Sequence, residues 1–369
     1  MHSHLPILFV YALLALSSLV VGSVQIVDRI AGDPLNVGFT ANGTVVQKID
    51  KGYQVLAYLD VRLTGTATHT GYSTPPTKLQ ESLENLLSNV LVSATGKGNA
   101  STIGTIKSCD AAYYFQMTRF LESTQGVRVD IGTNNSAYNF ETNFRIYFAL
   151  PPRMRRISSL TADELWNTHV FDARFVSNFT NAFNWRDQTA MVTGGVGGTT
   201  VLSNMLVTVQ VREITGWPSH DAQKRPIVRP FVKEEQLLFD VTQTQQEKLM
   251  KDFPTGNIYR RITFKGTVGA NPYSDPSDLP FSNTSRAEGP HLKLKENNAF
   301  VFADFVYQQQ RNENKKVFGV ETMPAGYVVW EPAGGRNTKG VERLDFLPDV
   351  FFTGGQTNEI QATIQQVVS

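Results

Sequence analysis

Between positions 57 and 64 the chain alternates strictly. Ala57, Leu59, Val61 and Leu63 fall on one parity, and Tyr58, Asp60, Arg62 and Thr64 on the other. Successive side chains of a strand point to opposite faces, so this register makes a strand with one dry face and one wet face. The same strand texture returns at 140–150, 205–214, 236–241, 258–266, 291–295, 327–330, 341–346 and 359–368. Breakers are spread between these runs, 28 Gly and 17 Pro in all, and Pro151-Pro152 closes one run abruptly. A chain built from many such segments must bury their apolar faces by stacking antiparallel sheets. Large side chains for that packing come from 23 Phe and 12 Tyr. At 369 residues the chain exceeds the usual single-domain size, so two domains are expected.

Two helices interrupt the strands. Residues 108–122 offer Ser108 as a cap, Asp110 in the first turn, an apolar side of Phe115, Met117, Phe120 and Leu121, and Gly126 as a stop. A second helix is expected over 303–314. The period of 83–92 is ambiguous, and 161–185 is mixed. Pro, Gly and polar residues accumulate at 216–226, which places a domain boundary there: a first unit at 27–216 and a second at 217–369. The two units share an order of events: strand 91–94, turn, helix 108–122 and strand 140–150, against strand 292–295, turn 296–298, helix 303–314 and strand 327–330. An Asp-centred apolar patch follows in each, at 171–175 and 344–349, then an Asn-bearing strand, at 181–185 and 358–364. Residue identity between the halves is low, but the shared order favours two similar β-domains over one large sheet.

From Leu5 to Val27 the one strongly polar residue is Gln25. About 20 apolar residues in a helix match the hydrocarbon thickness of a bilayer. Residues 1–26 therefore read as a hydrophobic helix, with three uses open: a secretory signal cut near Val21 and Ser23, a membrane-contacting helix, or a core helix. Met1 to His4 hold no Lys or Arg, which weakens the signal reading. Sequons at Asn42, Asn99, Asn134, Asn178 and Asn283 favour export in a glycosylating host, although a chain rich in Asn and Thr forms such triplets by chance.

Several segments together carry a resemblance. In the second half these are 253–262, where a Pro254-Thr-Gly256 turn precedes what reads as an outer strand, then 323–330, Gly334-Gly335-Arg336 and Arg343-Leu344-Asp345. In the first half they are 106–119, 140–152 and Phe171-Asp172-Ala173-Arg174. This succession, from about Val27 to Ser369, resembles the double jelly-roll major capsid proteins of tailless icosahedral viruses with an internal membrane, the corticovirus and tectivirus type of the adenovirus-hexon lineage. The resemblance implies an all-β fold of two tandem eight-stranded jelly-roll sandwiches with short helices in their connections. It implies a homotrimer shaped as a pseudo-hexagonal tile of an icosahedral shell, touching neighbouring capsomers and minor capsid proteins. The 1–26 helix would then face the internal viral membrane, the loop 269–290 would crown the outside, and the chain would reside in the virion. The strongly apolar start departs from the amphipathic helix common in that family. The rival reading is an exported β-sandwich carbohydrate-binding or adhesion protein, secreted after loss of residues to about Ser23.

Nothing in the sequence assembles a reaction centre, so no catalytic, cofactor or metal residues are assigned and the chain is not expected to be an enzyme. The six histidines, His2, His4, His69, His169, His220 and His291, show no zinc-ligand spacing, and no G-x-S-x-G is present. The paired acids Asp163-Glu164 and Glu234-Glu235 read as solvated surface. Gly194 to Gly198 lacks the strand–turn–helix setting of a phosphate loop. Asp172 and the patch from Asp345 to Asp349 offer oxygens for a structural calcium ion, and turn capping is the plainer use. The lone Cys109 permits no intrachain disulfide and reads as a small core residue. With 34 Lys+Arg against 33 Asp+Glu, formally +1, no broad field exists to grip nucleic acid, and no sequence-specific nucleic-acid binding is expected. The densest basic cluster, Arg153-Met154-Arg155-Arg156, reads as a solvated turn after Pro151-Pro152, with lipid head groups or packaged genome as its other uses.

Overall fold

The computed structural model describes residues 28–368 apart from 31–32, 50–54, 97–103, 123–126, 151–169, 218–222, 225–229, 270–274, 283–285, 298–299 and 333–334. The expected helix at 1–26, the basic cluster at 153–156 and most of the 216–226 boundary lie outside the described residues. Among the described residues, no helix is long and apolar enough to cross a membrane.

The first run of strands is β1 (Asp28–Ile30), β2 (Leu35–Gly38), β3 (Thr44–Lys48), β4 (Val55–Thr70), β5 (Leu87–Gly96), β6 (Gly104–Cys109), β7 (Ala137–Tyr147), β8 (Val176–Trp185) and β9 (Thr199–Ile214). The second is β10 (Phe231–Asp240), β11 (Met250–Phe253), β12 (Ile258–Gly269), β13 (His291–Glu296), β14 (Phe300–Val306), β15 (Tyr327–Trp330), β16 (Leu344–Pro348) and β17 (Thr357–Val368). Helix α1 (Ala111–Glu122) follows β6, and α2 (Tyr307–Phe318) follows β14.

Because β1 and β2 both pair with β9, they act as one interrupted strand. Each run then supplies eight strands in the same arrangement. The first, eighth, third and sixth lie side by side: β1/β2-β9-β4-β7 in one run and β10-β17-β12-β15 in the other. The second, seventh, fourth and fifth make the facing sheet: β3-β8-β5-β6 and β11-β16-β13-β14. This is the jelly-roll order, made twice. In both copies the helix occupies the connection from the fifth strand to the sixth.

The two sandwiches are fused. Strand β10 runs parallel to β6, with Lys107 opposite Glu234 and Ser108 opposite Glu235, so one ten-stranded sheet passes through both. The first core continues across the junction and takes in Val232, Phe318, Met323, Tyr327, Val329 and Val367 from the second run. A separate second core gathers around Phe253, Phe264, Phe346, Ile360, Ala362 and Ile364.

Local chemistry explains where the elements differ from expectation. Helix α1 is capped by Asp110, whose Oδ1 accepts from the Tyr113 N–H at 2.7 Å, and not by Ser108, which is drawn into the β6 ladder. Helix α2 starts at Tyr307 rather than 303, because the β-branched and aromatic run to Val306 pairs with β13 instead. It stops at Gly319, whose φ of 63° is the left-handed conformation that glycine adopts at least cost. Strand β12, expected on the outside, lies between β17 and β15 and is buried from Tyr259 to Val268. The ambiguous stretch at 83–92 resolves into a short 3-10 turn, Glu84–Leu86, followed by β5.

Candidate assembly faces and the seam that aligns them

Where β6 meets β10 the seam is polar and closed to water. Lys107 Nζ lies 3.2 Å from Glu234 Oε2, an ion pair without hydrogen-bond alignment. The other oxygen, Glu234 Oε1, accepts from Gln365 Nε2 at 2.6 Å and from the Tyr113 hydroxyl at 3.3 Å. Burial pushes the Lys107 ammonium below its usual pKa, and Glu234 offsets part of that push. A second cluster ties β12 to the first sandwich. Lys265 Nζ sits 2.5 Å from Glu81 Oε2, whose partner oxygen accepts from the Tyr327 hydroxyl at 2.7 Å. Burial works against the Lys265 charge, but Glu81 and Asp110 together hold its pKa above the ordinary value.

Further links cross the same junction. Arg260 Nη1 donates to the Leu150 carbonyl at 2.8 Å, and Arg119 Nη2 donates to the Thr322 carbonyl at 3.3 Å. The rings of Phe120 and Phe318 stack with centroids 4.8 Å apart. Burial, with Arg261 beside it, pushes the Arg260 pKa down to about 9. Buried ion pairs add little net stability over apolar packing, and here they sit among hydrogen bonds and a ring stack that join the two sandwiches across the same junction.

The residues weighed for chemistry are scattered. Cys109 is buried in β6, and burial raises its thiol pKa well above the usual value. His69 is enclosed between Thr200 Oγ1 at 2.8 Å and the Gly132 carbonyl at 3.0 Å. His291 lies on β13 beside Asp304, 2.8 Å away. His2, His4, His169, His220 and Asp163-Glu164 lie outside the described residues. Glu234 is not solvated surface as expected: it is buried in the seam, while its neighbour Glu235 is half-exposed. Asp172 caps a 3-10 turn by accepting from the Arg174 N–H at 3.0 Å. Asp345 pairs with Arg343, and Asp349 accepts from the backbone N–H groups of Glu247 and His291. Gly194, Gly195 and Gly197 take positive φ in a surface turn, where Val196 bridges to Thr74. Among the described residues no group of three or more His, Cys, Asp or Glu side chains is arranged to hold a metal.

The loop expected at 269–290 to crown the outside is partly tied down. Asp275–Pro276 pairs with β12, Phe281 is fully buried against the Tyr307 ring, and Asp278 accepts from the Tyr307 hydroxyl and the Gly326 N–H. Exposed apolar side chains lie both in this loop, at Leu279, and on edges and outer faces. Val46 lies on β3 and Val301 on β14, each the last strand of its sheet, and Leu238 and Val317 lie on β10 and α2.

No protein-family model and no curated protein matches the sequence. Solved structures do match the fold. The crystal structure of the STIV MCP superposes with a TM-score of 0.62 at 12% identity, over 93% of this chain and 97% of that one. The atomic structure of Sulfolobus Turreted Icosahedral Virus gives 0.65 at 11% identity, over 93% and 91%. The major capsid protein P2 from bacteriophage PM2 gives 0.51 at 10% identity, over 94% and 98%. The fold of this chain is the double jelly roll.

Proposed function

We propose that this chain is a viral coat subunit, a rigid double sandwich whose flanks, rather than a pocket, do its work. The observation that carries the reading is the twice-made jelly-roll order, matched over more than nine-tenths of the chain by proteins whose names are those of capsid components. In this reading residues 27–216 and 217–369 are the two halves of the tile. Three copies make a pseudo-hexagonal block that meets neighbouring capsomers and minor capsid proteins. Residues 1–26 are directed at an internal membrane, and the chain resides in the virion. The polar seam supports the reading, because a tile must keep its halves joined while many contacts pull on it. The role is structural rather than catalytic.

The test is the native mass and N-terminus of the purified full-length chain, with electron microscopy of concentrated samples. A stable trimer that keeps Met1–Val27, or closed particles, is the expected result. A monomer shortened near Ser23 that binds glycan would overturn the proposal.

A further inference from the structure

Lys265 stands in the middle of β12 with its amine shut off from water, the side chain only 7% exposed. Two carboxylates of the first sandwich meet it there. Glu81 Oε2 lies 2.5 Å from Nζ, and Asp110 Oδ2 lies 3.8 Å from it. The Tyr327 ring lines the same site, its centroid 5.7 Å from Nζ. One carboxylate is enough to neutralise an ammonium, and the second is free for another use. We propose that Lys265 and Asp110 condense to an amide inside the folded chain, with Glu81 as proton carrier, so that a covalent cross-link spans the two sandwiches. The inference goes beyond the coat-subunit reading and stands without it.

The site holds each part that such a condensation needs. Lys265 Nζ is the nucleophile and Asp110 Cγ the electrophile. Asp110 Oδ1, the oxygen that stays, accepts from the Tyr113 N–H at 2.7 Å in the first turn of α1. That donor sits at the positive end of a twelve-residue helix and stabilises the negative charge that grows on Oδ1 as nitrogen adds. The oxygen that leaves is Oδ2, the one facing Lys265. The Tyr327 hydroxyl donates to Glu81 Oε1 at 2.7 Å and so presents Oε2 to the amine. The other seam pair lacks this division of labour, because Glu234 beside Lys107 would have to be electrophile and base at once.

In the step the Nζ–Cγ bond forms and the Cγ–Oδ2 bond breaks. Nitrogen gives up two protons, which pass one after the other through the Glu81 carboxylate and leave on Oδ2 as water. Glu81 ends as it began, and no oxidant or activating group is required. In water the reaction does not run, because an ammonium has no lone pair and a carboxylate is a poor electrophile. Away from water, moving one proton from Lys265 to Asp110 replaces two charges by two neutral groups, a change that burial favours. Burial works against the Lys265 charge while Glu81 and Asp110 sustain it. The neutral pair is therefore the minor form, and the bond forms slowly after folding.

The experiment is a peptide map of the purified full-length chain, aged after folding until the map no longer changes and unfolded in denaturant before cleavage. Trypsin does not cut after an acylated lysine. The expected product is therefore residues 108–119 joined to residues 262–286, lighter by one water than the two peptides together. An ion pair does not survive denaturant, so a wild-type map with only the separate peptides 108–119 and 262–265 overturns the inference. Lys265→Arg keeps the positive charge and should give no joined peptide. Glu81→Gln should slow its appearance by about a hundredfold or more, as expected for loss of a positioned base. A Glu81→Gln chain that matches the wild-type rate overturns the role of Glu81. The wild-type map decides the cross-link by itself, so a variant that fails to fold takes nothing from the test. A chain that carries the bond yet forms neither trimer nor particle would sink the coat reading alone.

Discussion

Asn314 grips Val329 by both of its backbone groups: its Oδ1 accepts from the Val329 N–H at 2.8 Å, and its Nδ2 donates to the Val329 carbonyl at 2.8 Å. A helix side chain thus takes the place of a neighbouring strand for β15. The first sandwich uses the same device, where Thr118 Oγ1 on α1 accepts from the Arg145 N–H of β7 at 2.7 Å. In both halves the helix is tethered to the sixth strand by a polar side chain.

Asn314→Leu keeps the volume but leaves the Val329 N–H buried and unpaired, while the carbonyl keeps a second donor in Gln310 Nε2 at 2.9 Å. The expected cost is about 2 kcal/mol, the usual penalty for one orphaned buried group. Urea unfolding followed by tryptophan fluorescence should show the midpoint falling with little change in slope.

At the seam, Lys107→Met alone leaves the Glu234 carboxylate without its cation. Breaking a buried pair in this way costs about 3–5 kcal/mol, whereas replacing both members with apolar groups is often neutral. The double variant Lys107→Met/Glu234→Leu should therefore recover most of the stability lost by the single one. A single variant as stable as wild type would mean that water reaches the pair.

Glu84 supplies a pH test. Its carboxyl is buried, accepts from Thr142 Oγ1 at 2.8 Å, and lies 3.4 Å from Arg128. Burial raises its pKa above 4.5 by more than Arg128 lowers it. The folded state therefore keeps this proton to a higher pH than the unfolded chain does. Its contribution to stability is full below 4.5 and is lost as pH rises through the raised folded value. Glu84→Gln stays neutral throughout, so the stability difference should move in the variant's favour between acid and neutral pH. Denaturant titrations at both ends of that window would measure it.

Gly326 has a φ of 76°, and a Cβ there would press on the Gly266 carbonyl oxygen and come within 2.8 Å of the Ser277 nitrogen. Neither neighbour is a side chain that can turn aside. Gly326→Ala should cost about 3 kcal/mol or more, seen as a lower thermal midpoint, whereas Ala at Gly354, where a Cβ meets nothing within 4 Å, should be tolerated.

Much of the fold was legible because strands with one wet face announce themselves. The alternation of β4 carries its parity through Ala57, Leu59, Val61 and Leu63, all buried in the structure. Strand β12 hid its place for the opposite reason. Arg260, Arg261 and Lys265 make it read as surface, yet it is interior, and their charges are met by carboxylates and carbonyls distant in sequence. Glu234 misled in the same way, since a carboxylate beside another carboxylate gives no sign of Lys107 waiting on a strand of the other sandwich. Strand β6 was missed because its residues 104–109 carry few large apolar side chains, and what recruits them is antiparallel pairing with β5 on one side and the short parallel contact with β10 on the other.

Strand β17 lies between β10 and β12 and is made after everything it separates. Its Gln365 completes the Tyr113–Glu234 cluster beneath α1. During translation, then, α1 and the edge of β6 emerge long before the segment that seals them. A chain cut ahead of β17 would carry an open gap between β10 and β12 in the middle of its main sheet, and the Tyr113–Glu234 cluster would lack the amide that closes it.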